Sequence, residues 1–313
     1  MSEKSKNESD AVGLEKGIER LETRRDSKEE RRVAGELKGQ RARGWTERLL
    51  TRTLSGVVYV VLIVACIWGG TYSTAGLLAA MGWVCCSEFF RITRMAGRRP
   101  SEIIGLVAAI AFPIAAALAG TRMVFCLMCV LLIAIAIWYV LNPRANMADA
   151  AMSVFGPLYT SVTLSCIALI RTGNDGLEGA IITLVVIGSV WAEDSFAYLV
   201  GSAIGKHKMA PRTSPNKSWE GFFGGLVGAV AVWVVAALFH VGGLSVPLGL
   251  ACGLLEGLVA VMGDLFESRI KRSVGVKDSG NLLPGHGGLL DRTDSMIFGG
   301  VIAYFVLLLG GIV

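Results

Sequence analysis

LSVPLGLACGLLEGLVAVMGDLFESRIKRSVGVKDSGNLLPGHGGLLDRTDSMIFGGVIAYFVLLLGGIV, residues 244–313, holds two long apolar runs with one polar run between them. The apolar runs, roughly 244–265 and 295–313, are each long enough to cross a hydrocarbon core of about 30 Å. The polar run from Asp264 to Asp294 is the longest after the N-terminal tail. It carries Asp264, Glu267, Asp278, Asp291 and Asp294, interleaved with Arg269, Lys271, Arg272, Lys277 and Arg292 around a Gly-rich turn, Pro284 to Gly288. Both signs of charge around one turn suit a site that holds cations and phosphates together.

The pattern repeats outward from this stretch. Of the 313 residues 53% are hydrophobic and 18% charged, and the mean hydropathy is +0.58. A soluble helix of this length would show a polar face; here run after run is apolar all round. The sequence therefore predicts an all-α, polytopic integral membrane protein. Nine spans are expected, at roughly 54–70, 72–90, 101–119, 122–142, 149–170, 179–203, 221–240, 244–265 and 295–313. Fixed positive charge falls in every second connection: Arg91, Arg94, Arg98 and Arg99; Arg144; Lys206, Lys208, Arg212 and Lys217; and the 266–294 loop. The other connections hold only Arg122 and Arg171. By the positive-inside rule this alternation puts the N-terminus and the basic loops in the cytoplasm and the C-terminus outside.

Residues 1–45 mix both charges with few large apolar side chains. Such a segment buries too little surface to offset chain entropy, so a disordered or partly helical cytoplasmic tail is expected, followed by a membrane domain over 46–313. It has no apolar core of the signal-peptide kind. The seven cysteines all lie in apolar runs, with spacing of neither a zinc site nor a disulfide framework, and are expected to be packing residues. Gly221, Gly224, Gly225 and Gly228 have small-xxx-small spacing, which favours close helix packing. No internal repeat is visible, which weakens a transporter reading.

Ionisable groups at membrane depth are costly, so they mark candidate sites. Glu193 and Asp194 lie inside one span and Glu256 inside another, the last expected as an interior packing or hydrogen-bond partner; Asp264 lies at a span's cytoplasmic end. Asp194 and Tyr198 share a helix face, as do Asp264 and Ser268 if that helix continues. Converging carboxylates are ordinary oxygen ligands for Mg²⁺. Asp294 alone would also suit a helix N-terminus. Lys217 and the Lys277-Asp278 pair lie in turn-rich runs, where backbone N–H groups, Lys and Arg can cradle phosphate. Lys208 and Arg269 are taken as topology signals. His286, between glycines, suits a phosphate donor, an acid or a structural role equally. Gly201 to Lys206 is one residue short of a P-loop, and His207 replaces its Ser/Thr. The residues thus point to a cytoplasm-facing site for a divalent cation and a polyphosphate, leaving a lipid-phosphate transferase and an anion transporter as alternatives.

The run Ser268-Arg-Ile-Lys271-Arg272, Lys277-Asp278-Ser-Gly280 and Leu283 through Asp291-Arg292-Thr-Asp294 resembles the signature of the phosphatidate cytidylyltransferases over its whole length. So does the earlier block Asp194-Ser-Phe-Ala197-Tyr198, Gly205-Lys206 and Ser214 to Gly221, with Ser218 where Thr is commoner. The resemblance covers roughly 50–313. It implies that CTP and phosphatidate give CDP-diacylglycerol and pyrophosphate with Mg²⁺, in a multi-span membrane enzyme, a homodimer in the bilayer with no nucleic-acid partner. It further implies metal roles for Asp264 and Asp291 with Asp294 in support, and catalytic roles for Asp264, Asp291, Lys277, Asp278 and His286. Lys206, Ser214, Lys217, Ser268, Lys271, Arg272, Arg292 and Asp194 are the expected substrate-binding residues. A CTP-dependent lipid kinase is a related alternative.

Overall fold

Residues 53–174, 176–282 and 287–313 are described by a computed structural model. The tail 1–45 and the turn residues Pro284, Gly285 and His286 lie outside them. The described residues are all-α apart from one hairpin. Among them, seven helices or helical runs are long and apolar enough to cross a membrane, and Thr53–Trp68 (α1) is a shorter apolar helix. The seven are α2 (Thr71–Met95), α3 (Glu102–Leu141), the run Met147–Gly173, α6 (Gly176–Ile204), α7 (Trp219–Leu238), α8 (Val246–Ser273) and α9 (Leu290–Leu309). It is a multi-pass membrane protein.

Two of these runs are irregular. α3 has 40 residues and is broken at Ala119 (φ −147°) and Gly120 (φ 66°, ψ −159°). The left-handed turn at Gly120 costs little because glycine has no Cβ. The run Met147–Gly173 consists of α4 (Met147–Pro157), one π-turn (Leu158–Val162) and α5 (Thr163–Gly173). α4 opens with a capping box, in which Asn146 Oδ1 accepts from Asp149 N (2.9 Å) and Asp149 Oδ2 from Asn146 N (3.0 Å). Tyr159, on the π-turn, sits in an aromatic nest with Phe89, Phe155, Phe266 and Phe298. From Ser55 to Val313 the helices form one unit, cored by residues such as Phe90, Phe112, Ile167 and Trp233.

Glycines decide how closely the helices approach. A Cβ at Gly221 would lie 2.7 Å from the Ala197 carbonyl oxygen, and one at Gly225 2.7 Å from that of Glu193. The small-residue stripe of α7 therefore lets it pack onto the part of α6 that carries the acids. A Cβ at Gly263 would lie 2.4 Å from the Asp294 carbonyl oxygen, so α8 meets α9 beside Asp264. The cysteines are all unpaired, with Cys85 and Cys86 fully buried, and Glu256 is interior, accepting from Ser189 Oγ (2.7 Å) and Trp233 Nε1.

Candidate active site

Between α6 and α7 the chain forms an antiparallel hairpin, β1 (Lys208–Ala210) and β2 (Ser214–Ser218), with Lys208 opposite Ser218 and Ala210 opposite Ser214. Ser218 ends β2 and caps α7, its Oγ accepting from Gly221 N (3.2 Å). His207 and Glu220 close the hairpin base: the Glu220 carboxylate lies 2.6 Å from His207 Nδ1, and His207 O accepts from Trp219 N (2.9 Å). The hairpin joins α6 to α7, and with α8 these elements leave a cavity of about 530 Å³ lined by Asp194, Tyr198, Lys208, Lys217 and Asp264 among others.

Two separate carboxyl-bearing networks each use residues from the C-terminal half of α8. In the cavity, Asp264 Oδ2 pairs with Lys217 Nζ at 2.7 Å and Oδ1 accepts from Ser268 Oγ at 3.1 Å. α8 thus continues past Asp264, and the predicted Asp264–Ser268 face is present. Asp194 and Tyr198 share the cavity wall, as their spacing indicates. Glu193, 2% exposed, also lines it, and its Oε2 has no hydrogen-bond partner. The second network lies at the start of α9. Asp291 Oδ1 pairs with Lys271 Nζ (2.5 Å), and its two oxygens accept from Ser279 N (3.1 and 3.0 Å) and Gly288 N (2.8 Å). Lys271, 7% exposed, also pairs with the fully buried Glu267.

The predicted residues therefore separate. Asp194, Lys217 and Asp264 come together in the cavity, with Ser268 bonded to Asp264. Lys271 and Asp291 form their own cluster with Glu267, apart from the Lys217 and Ser268 contacts of Asp264. Asp294 stands against Gly263 and accepts from Ser295 N (2.8 Å). Lys206, Arg272, Lys277, Asp278 and Arg292 are exposed, and Ser214 is half-buried at the start of β2. Arg272 donates to the Val276 carbonyl (2.7 Å). His286 lies outside the described residues. The sequence reading missed two participants. Lys208, taken as a topology charge, lines the cavity. Glu193, singled out as a candidate by its depth in a span, lines it as well. Glu88 on α2 was not singled out at all, although a lone acid inside an apolar run was the available signal.

The donor set is compatible with a hard divalent cation. Among the described residues no three His, Cys, Asp or Glu side chains form a ready-made metal cluster. Mg²⁺ nevertheless needs only one or two carboxylates when substrate phosphates complete its shell. Asp194 and Asp264 face one cavity, beside the unpartnered oxygen of Glu193, and a cationic group, the Lys217 ammonium, already rests on Asp264.

Fold and site together define a polytopic helical membrane protein with an acid- and lysine-lined cavity at its helix ends. Residues 50–309 match the cytidylyltransferase family, and the chain belongs to it. A phosphatidate cytidylyltransferase of Synechocystis is 31% identical over 287 residues, covering 82% of this chain and 96% of that protein. The chloroplastic phosphatidate cytidylyltransferase 4 of Arabidopsis thaliana is 29% identical over 95% of this chain and 81% of its own. A phosphatidate cytidylyltransferase of Mycobacterium bovis is 39% identical over 169 residues, 54% of each chain. The similarity spans about half the length of this and the other mycobacterial relatives.

Proposed function

We propose that this chain transfers the cytidylyl group of CTP to phosphatidate, giving CDP-diacylglycerol and pyrophosphate. The observation that carries this is one cavity in which Asp194 and Asp264 face Lys208 and Lys217, in a chain of the cytidylyltransferase family. A phosphate oxygen of phosphatidate attacks the α-phosphorus of CTP. A new P–O–P bond forms, the bond to the β-phosphate oxygen breaks, and pyrophosphate leaves with that electron pair. Protein groups then have mainly to position the reactants and neutralise charge.

Asp264 and Asp194 would hold Mg²⁺, which when bound would polarise phosphate oxygens. Asp291 would join them only by exchanging Lys271, and Asp294 supports from behind Gly263. Lys217 is suited to neutralise a phosphate, since leaving Asp264 would free its ammonium, and Lys208 offers a second charge on the same wall. Lys206, Arg272 and Arg292 are exposed donors for the outer phosphates or the lipid head group, and Ser214 belongs to the hairpin wall. Ser268 orients Asp264, while Lys277, Asp278 and His286 belong to the polar run whose Gly-rich turn would bring backbone N–H groups to the triphosphate.

The membrane layout is part of the proposal. A straight helix of 40 residues would be about 60 Å long, twice the hydrocarbon thickness. The break at Gly120 therefore supports two crossings in α3. With Thr53–Trp68 this makes nine, and the basic loops then favour a cytoplasmic N-terminus and site. The charged tail 1–45 precedes this membrane domain, and the homodimer rests on the family resemblance alone. The test is a purified-protein assay with CTP, phosphatidate and Mg²⁺. A product with the mass of CDP-diacylglycerol is expected, lost on chelation. A product gaining only a phosphoryl group would indicate a lipid kinase, and solute flux in sealed vesicles without CTP would indicate a transporter.

A further inference from the structure

α9 begins without a cap of its own. Leu289 holds the cap position and supplies no side-chain acceptor, although the first N–H groups of any helix need acceptors. They come instead from α2, across some two hundred residues of chain. Glu88 Oε1 accepts from Leu289 N (3.1 Å), and Oε2 accepts from Leu290 N (2.8 Å) and Ser279 Oγ (2.8 Å). Glu88 is only 7% exposed, and a negative charge at a helix N-terminus is favoured by the macrodipole.

The fit leaves no spare room. A Cβ at Gly280 would lie 2.2 Å from Glu88 Oε1, and one at Gly288 2.5 Å from Oε2. The loop ends that Glu88 fastens are also those that hold Asp291. Ser279 gives its hydroxyl to Glu88 and its N–H to Asp291, while Gly288 N donates to Asp291 beside Leu289 N on Glu88. All three described bonds to Glu88 use it as an acceptor, so a carboxylate fits and an amide does not.

We propose that Glu88 is a positioning residue: it caps α9, ties both ends of the 279–290 loop, and thereby sets where Asp291 and its partner Lys271 stand. Its kinetic consequence rests on the cytidylyl-transfer reading, whereas the tether itself does not. The full-length protein in detergent or nanodiscs is examined by hydrogen exchange and by steady-state kinetics. In Glu88→Gln, which keeps the shape, exchange over 279–290 is expected to speed about tenfold or more, while α6 and α7 are unchanged. In the same variant kcat is expected to fall about 10–100-fold with KM for CTP within about threefold, because the cavity is untouched. Gly288→Ala should act in the same direction, and Ser279→Ala, which removes one bond of three, should have a smaller effect; these two decide the matter if Glu88→Gln does not fold. The proposal is overturned if loop exchange and kcat both stay within about twofold, if exchange rises evenly through all helices, or if only KM changes. A wild-type protein that makes no CDP-diacylglycerol would sink the reaction assignment, and the exchange data would still decide the tether.

Discussion

Two aspartates of this protein each sit on a lysine, with different surroundings. The Asp264–Lys217 pair joins α8 to the hairpin at 2.7 Å, and both side chains keep about a quarter of their exposure, 25% and 24%. The Asp291–Lys271 pair is at 2.5 Å with 6% and 9% exposed, shares its lysine with Glu267, and has two backbone N–H groups on the same carboxylate. The first pair faces a cavity and can exchange partners at modest cost, because water and ligand compete for both charges. The second is nearly buried, so removing one member leaves a poorly compensated charge. Identical residue types thus make an accessible contact in one place and an enclosed one in the other, and the partners that surround each pair differ accordingly.

This contrast can be broken most directly at the carboxylates. Asp264→Asn is expected to lower CDP-diacylglycerol formation by about 10³-fold while the protein still inserts and extracts as wild type. Asp291→Asn should lose activity and heat resistance together. Radiolabelled product assays beside thermal-shift curves would show it, and indistinguishable profiles for the two variants would abolish the distinction.

At the lysines the same contrast separates stability from turnover. Lys271→Ala leaves Glu267 and Asp291 buried without their cation, at a cost of about 3–5 kcal/mol, readable as a lowered unfolding midpoint in detergent. Lys217→Ala should cost under about 1 kcal/mol yet reduce kcat/KM about 10–100-fold. A stable Lys271→Ala protein would show that the closed cluster is not structural. The smallest effect is expected at Ser218→Ala, which removes only the cap of α7 and costs about 1 kcal/mol; a large loss of activity there would mean that the hairpin edge touches substrate.

The fold class and the outline of the site were legible in the sequence, because lipid imposes length and apolarity on every span and makes each intramembrane charge conspicuous. The Gly221–Gly228 stripe, the Asp194–Tyr198 face and the interior role of Glu256 followed from spacing or from cost. Partner choice was not legible. Whether Asp264 meets Lys217 or Asp291, whether Lys208 marks topology or lines a cavity, and why an acid stands at Glu88 all depend on which helix ends pack together. Those approaches are set by a missing Cβ at Gly263, Gly280 and Gly288, contacts between residues far apart in the chain. Local periodicity records what each helix must bury; only the packed bundle selects which buried or half-buried charge answers which.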